Sequence, residues 1–299
     1  MNSAEKFKYY KQIIEDNLDF GTKLVHDQSK NVGEAMLYSL SAGGKRLRPA
    51  LVMSACEFAG GKAEDALVHA LAIEYIHTYS LLHDDLPAID NDDLRRGRPT
   101  NHKVFGEAMA ILAGDALLNT AMDIMLSDTV KNIDCQDLFK RKVLATREIS
   151  RAAGVNGMIG GQVADVENEG KKASKELLQY IHENKTGAMI VGAVRAGAFI
   201  GGTTEEELED LTRFASYIGL AFQIRDDILD IEGDAAKLGK NIGRDIELEK
   251  STYPVIYGME ESKRKFNELN DAAINILEKY GERATFFIDL IKMMSIREK

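Results

Sequence analysis

An all-α protein forming a single large domain is what the sequence predicts, on three observations. The 299 residues hold only four prolines, Pro49, Pro87, Pro99 and Pro254, and none between the last two. Ala, Leu, Glu and Lys abound, whereas alternating β-branched stretches are scarce. Apolar residues recur at helical spacing, and no linker, low-complexity tract or solenoid-like repeat interrupts them.

The elements follow in order. Pro49 sits where a first-turn proline is tolerated, and Pro254 marks a second such start. Glu64 to Asp85 reads as one helix, with Leu67, Leu71, Ile73, Ile76 and Leu81 near helical spacing. Pro87 and Pro99 fall in a polar connection. Glu107 to Leu126, Asp137 to Arg151, Asn156 to Glu167 and Lys175 to Ile200 are expected to be helical. A further long helix, Glu205 to Ile231, opens on a capping-box pattern at Thr204 and Glu207.

Composition narrows the function. With 38 Lys+Arg against 48 Asp+Glu the formal net charge is -10, which disfavours nucleic acid as a partner. Cys56 and Cys135 form no CxxC pair, so neither a disulfide framework nor a structural zinc site is expected. The polar start Met1 to Lys6 lacks the apolar core of a secretory signal. The most membrane-like stretch, Ala188 to Ile200, contains Arg195 and is shorter than the roughly 20 residues a span requires. A soluble cytoplasmic protein with no membrane span is the expectation.

Two segments carry chemistry. The first runs from His83 through Asp84, Asp85, Asp90, Asp92 and Asp93 to Arg95, Arg96 and Gly97. The second runs from Phe222 and Gln223 through Asp226 and Asp227 to Asp230. Gln223, Asp226 and Asp230 share a helix face, and His77 lies two turns before Asp84 on one stripe. At an effective dielectric of 20, two carboxylates about 4 Å apart repel by roughly 4 kcal/mol, so converging clusters need protons, water or cations. Oxygen-only donors suit Mg²⁺, which keeps waters and accepts substrate phosphates. Neither cluster has the twelve-residue spacing of an EF-hand calcium loop.

The two segments resemble the aspartate-rich motifs of the trans-prenyl diphosphate synthases. The resemblance extends from Gly43-Gly44-Lys45-Arg46-Leu47-Arg48-Pro49 through Gly160-Gly161-Gln162, Lys185-Thr186 and Gly239-Lys240 to Ser251-Thr252-Tyr253-Pro254. It implies one domain over 1–299, helices surrounding a deep central cavity, and a homodimer. It also implies head-to-tail joining of an allylic diphosphate to isopentenyl diphosphate with three Mg²⁺ ions. By resemblance, Asp84 and Asp90 hold two ions, Asp85 is auxiliary, and Asp226 holds the third, with Asp227 and Asp230 supporting it through water. Asp92 and Asp93 are read as facing solvent or supporting from behind. Lys45, Arg48, His77 and Arg96 match the isopentenyl diphosphate pocket, where Arg suits phosphate oxygens. Arg95, Lys185, Lys240 and Lys250 match groups around the allylic diphosphate. Thr186 and Gln223, grouped with Lys185 as catalytic, match polar groups beside the reacting carbon. The released diphosphate is the implied proton acceptor. Gly160 and Gly161 are also read as close-packing residues.

Four residues separate Asp85 from Asp90, and Tyr79 stands five positions before Asp84. Both features resemble the bacterial farnesyl diphosphate synthases, which makes Tyr79, with its neighbour Ser80, the expected limit on product length. The farnesyl product comes first and geranylgeranyl diphosphate second. The helical wheel alone does not aim Tyr79 at the metals, so that role rests on resemblance. A terpene cyclase, a non-catalytic subunit of a prenyl synthase and an acidic Ca²⁺-binding scaffold are the rival classes.

Overall fold

The computed structural model describes residues 1–171, 173–232 and 251–296. Helices α1 (Ser3–Glu15), α2 (Lys30–Leu40), α3 (Leu47–Phe58) and α4 (Leu67–Asp84) lead to a short antiparallel hairpin, β1 (Leu94–Arg95) and β2 (Arg98–Pro99). Then come α5 (Asn101–Phe105), α6 (Glu107–Val130), α7 (Gln136–Ala153) and α8 (Met158–Glu167), followed by α9 (Lys175–Ile181), α10 (Ala188–Gly201) and α11 (Glu205–Glu232). Helices Tyr253–Tyr257, Met259–Leu277 and Thr285–Ile296 complete the described chain.

The expected helices are present, with shifted ends. Ala63–Ala66 forms a 3₁₀ turn ahead of α4, and α6 runs one turn past Leu126. The capping box at α11 forms: Thr204 N donates to Glu207 at 3.0 Å and Glu207 N to the Thr204 hydroxyl at 3.2 Å. One expectation needs revision. Lys175 to Ile200 is not a single α-helix, because a π-helical turn, His182–Gly187, separates α9 from α10. Such turns recur at functional sites, and this one carries Lys185 and Thr186.

The core explains the apolar stretch at 188–200. Buried residues line α10 on nearly every side, from Met189 through Ala193, Ala196 and Ala198 to Ile200, and it packs on α3, α7 and α11. It is an interior helix rather than a span. Helix α6 is the one described helix that is long and apolar enough to cross a membrane. Yet it packs against α4, α2 and α7, and its Asp128 bonds Lys142 at 2.6 Å.

Candidate active site

The loop after α4 is shaped by the sequence it carries. Four residues follow Asp85 before Asp90, and the chain folds back over the helix end. Asp90 N donates to Asp84 O at 2.8 Å, and Asp92 N donates to Asp85 O at 3.2 Å. The turn therefore satisfies carbonyls the helix leaves open and brings the Asp90 charge near enough to act on Asp84. Asp84 is half-buried, and its pKa is raised from 3.8 to about 6. Lost hydration is the main cause; Asp90 and Asp85 add to it, while Lys185 and Arg95 oppose it.

Asp85 is buried and clamped by Arg95, whose Nε lies 2.7 and 2.9 Å from its two oxygens. Its Nη2 is 3.6 Å from Asp92. Exposed Asp93 pairs with Lys103 at 2.7 Å, clear of this cluster. Arg95 is thus held beside the aspartates through Asp85.

Helix α8 closes one side, and two of its residues do work the sequence did not assign. Gln162 Nε2 donates to Asp84 Oδ1 at 2.8 Å, and Asp165 accepts from Lys185 Nζ at 2.6 Å. The signal was their three-residue spacing on one helix face beside Gly160 and Gly161. Gly161 permits the approach: a Cβ there would stand 2.1 Å from Lys185 N. Asp165, Asp84 and Asp90 together hold the Lys185 pKa above its ordinary value despite burial.

From the π turn, the Thr186 hydroxyl donates to Gln223 Oε1 at 2.9 Å, and Gln223 Nε2 donates to Asp227 Oδ1 at 2.9 Å. A polar arc thereby runs from Asp84 on α4 through α8 and the π turn to α11. Lys185, Thr186, Gln223 and Asp227 line a cavity of about 120 Å³ together with His182. Burial lowers the Arg48 pKa, opposed by Glu74 and by Asp226, which is half-buried on α11. Asp230 is buried, and among the described residues its Oδ2 has no hydrogen-bond partner.

The cationic set divides within one short motif. Arg46 turns inward at φ 53°, buried, and pairs with Glu74 at 2.5 Å and Glu15 at 2.8 Å. Lys45 Nζ lies over the Phe222 ring, 5.4 Å from its centroid. Gly44, at φ +139°, has no room for a Cβ beside the Arg96 guanidinium. Arg96 Nη1 donates to Gly43 O. Burial, aided by the charges of Arg48, Arg96 and Arg95 around the ring, holds the His77 pKa well below 6.5, so it is neutral near pH 7. Among the described residues nothing hydrogen-bonds the buried Arg48 Nε, and its guanidinium is close to Arg96. This cup of three arginines, its charge partly offset by Glu74 and Asp226, has an orphaned donor and is suited to a polyanion.

Tyr79 is buried and packs edge-on to His83 at 5.7 Å, and burial with the nearby Asp84 charge raises its pKa to about 12. The Ser80 hydroxyl donates to His77 O at 2.9 Å. Lys240 and Lys250 lie outside the described residues. Among the described residues, no three His, Cys, Asp or Glu side chains gather tightly enough to hold a metal by themselves. Asp84 and Asp90 still fit a hard cation, since Mg²⁺ takes water and phosphate as its remaining ligands.

The chain matches the polyprenyl synthetase family model over residues 29–284. It is 46% identical to farnesyl diphosphate synthase of Bacillus subtilis (strain 168) over 257 residues, 86% of this chain and 85% of that protein. Against geranylgeranyl diphosphate synthase of Cyanophora paradoxa the identity is also 46%, over 264 residues, 88% and 86% of the two chains. Among solved structures, an FPP/GFPP synthase from Zymomonas mobilis superposes with a TM-score of 0.85 at 32% identity, covering 98% of each chain.

Proposed function

The chain belongs to the polyprenyl synthetase family, and from that premise we propose that it condenses isopentenyl diphosphate with dimethylallyl or geranyl diphosphate to make farnesyl diphosphate. Trans-prenyl synthase activity follows from the family; the C15 product is our reading. One observation carries the site assignment: the arc from Asp84 through Gln162, Asp165 and Lys185 to Thr186 and Gln223, set beside the Arg48, His77 and Arg96 cup.

The division of labour follows from charge. The cup binds isopentenyl diphosphate through Arg48 and Arg96, with Lys45 at its rim and neutral His77 as a hydrogen-bonding wall. Lys185, Arg95, Lys240 and Lys250 hold the allylic diphosphate. Asp84, Asp90 and Asp226, with Asp85 in support, would hold Mg²⁺, which when bound would supply positive charge to the departing diphosphate. Thr186 and Gln223 present oxygen dipoles to the allylic cation as it forms, and their fixed orientation lowers the cost of stabilising it. The departing diphosphate, kept in place by Lys185, takes the final proton.

Tyr79, buried near Asp84, supports the shorter product. Geranylgeranyl diphosphate is the second reading, favoured by relatives of that name at the same identity. We also propose a cytoplasmic homodimer, joined through the exposed Ile111, Leu112, Leu126 and Val130 of α6, which light scattering tests directly. The deciding assay supplies isopentenyl diphosphate with each starter and Mg²⁺ and separates the products by chain length. C15 is expected; C20 corrects the product alone, and no condensation ends the reading.

A further inference from the structure

The second aspartate of the second cluster and the Ser251-Thr252-Tyr253-Pro254 motif meet at one point. Asp227 is 3% exposed. Its Oδ1 accepts from Gln223 Nε2 at 2.9 Å, and its Oδ2 accepts from Tyr253 N at 2.8 Å. His182 Nε2 stands 3.4 Å from the same oxygen, and the His182 ring stacks on the Tyr253 ring at 6.3 Å. The Ser251 hydroxyl accepts from Ala173 N at 2.9 Å, tying the motif to the residues before α9.

We propose that Asp227 is a positioning residue, which sets the direction of the Gln223 amide and, through it, of the Thr186 hydroxyl, rather than supporting a metal ion. The inference rests on the prenyl synthase reading of the site. Both Asp227 oxygens accept, Oδ1 from Gln223 Nε2 and Oδ2 from Tyr253 N, so the Gln223 nitrogen faces the carboxyl group. The Gln223 oxygen then faces Thr186, which commits its hydrogen there at 2.9 Å. The hydroxyl's lone pairs are left for the cavity, the polarity a forming carbocation needs. With the amide reversed, Thr186 would become the acceptor and turn its hydrogen toward the positive centre. The Tyr253 amide holds Asp227 from the other side, which gives the 251–254 motif its part in the device.

Asp227→Asn is nearly isosteric but keeps one acceptor for two donors, Gln223 Nε2 and Tyr253 N. We expect kcat to fall by about tenfold to a hundredfold, with KM for both substrates and the Mg²⁺ half-saturation changed less than about threefold. Unchanged kcat, or a Mg²⁺ half-saturation raised about tenfold with kcat restored at high Mg²⁺, would overturn the proposal. The pair Gln223→Glu with Asp227→Asn rebuilds the network. The amide introduced at position 227 donates to the carboxylate introduced at position 223 and accepts from Tyr253 N, while that carboxylate still takes the Thr186 hydrogen. This double variant should recover much of the kcat lost by Asp227→Asn, or fold and turn over if the single variant does not fold; no gain over the single variant overturns the proposal. Wild-type protein that makes no prenyl product would sink the underlying reading instead.

Discussion

Gly161→Ala perturbs the contact on which the polar arc depends. The added Cβ would stand 2.1 Å from Lys185 N and 2.7 Å from Asn184 C and Lys185 Cα, all backbone. Ordinary contact begins near 3.4 Å, so α8 and the π turn must part by about 1.3 Å. The Gln162–Asp84 bond of 2.8 Å and the Asp165–Lys185 bond of 2.6 Å would not both survive that opening. Overpacking costs about 1–3 kcal/mol, offset by about 1 kcal/mol of helix propensity gained on replacing glycine. Net destabilisation of about 0–2 kcal/mol moves Tm by only a few degrees in a chain this long. Misplacing the catalytic groups by about 1 Å can cost on the order of a hundredfold in rate. Function should therefore fail well before folding does. Steady-state turnover with labelled isopentenyl diphosphate, run beside calorimetry, measures both. A variant with kcat within about twofold of wild type would refute the reasoning.

Tyr79→Ala should lengthen the product distribution beyond C15, read by chromatography of the dephosphorylated products; an unchanged C15 profile counts against the gate. Asp84→Ala and Asp226→Ala should each lower turnover by orders of magnitude, and near-normal turnover at saturating Mg²⁺ in either would contradict its ligand role. The pKa of Asp84 rises from 3.8 to about 6, so in metal-free protein this carboxyl contributes stability below pH 3.8 that is lost as pH rises through 6. Asp84→Asn should accordingly raise the metal-free Tm at pH 7.5, by an effect of up to about 3 kcal/mol, and a lowered Tm would contradict it. Glu74→Gln leaves buried Arg46 with Glu15 alone and should cost about 3 kcal/mol while raising KM for isopentenyl diphosphate, because Arg46 anchors the loop bearing Lys45 and Arg48. Denaturant titration and initial rates check both effects; an unchanged midpoint would refute the anchor.

Much of the fold was legible because helices are local. The spacing of apolar residues, the scarcity of proline and the Thr204–Glu207 box depend on residues a few positions apart, and these helices formed as expected. The π turn at His182–Gly187 was not legible, since apolar residues continue on both sides of it and mask the break. Within Lys45-Arg46-Leu47-Arg48, resemblance set Lys45 and Arg48 apart as ligands, but no local spacing explained why Arg46 should be the anchor. The distinction comes from Glu15 and Glu74, which are brought from α1 and α4 into hydrogen-bond contact with Arg46.

By itself, the sequence determined the helical architecture and the chemical character of two acidic stretches, since both are properties of neighbouring residues. Only the tertiary structure decided which carboxylate each donor meets: Gln162 with Asp84, Lys185 with Asp165, Arg95 with Asp85, and Gln223 with Asp227. Of these pairs only the last lies within one helix. The others join side chains 10 to 78 positions apart, and whether a charge is buried, paired or left for a substrate depends on the segments that packing brings around it.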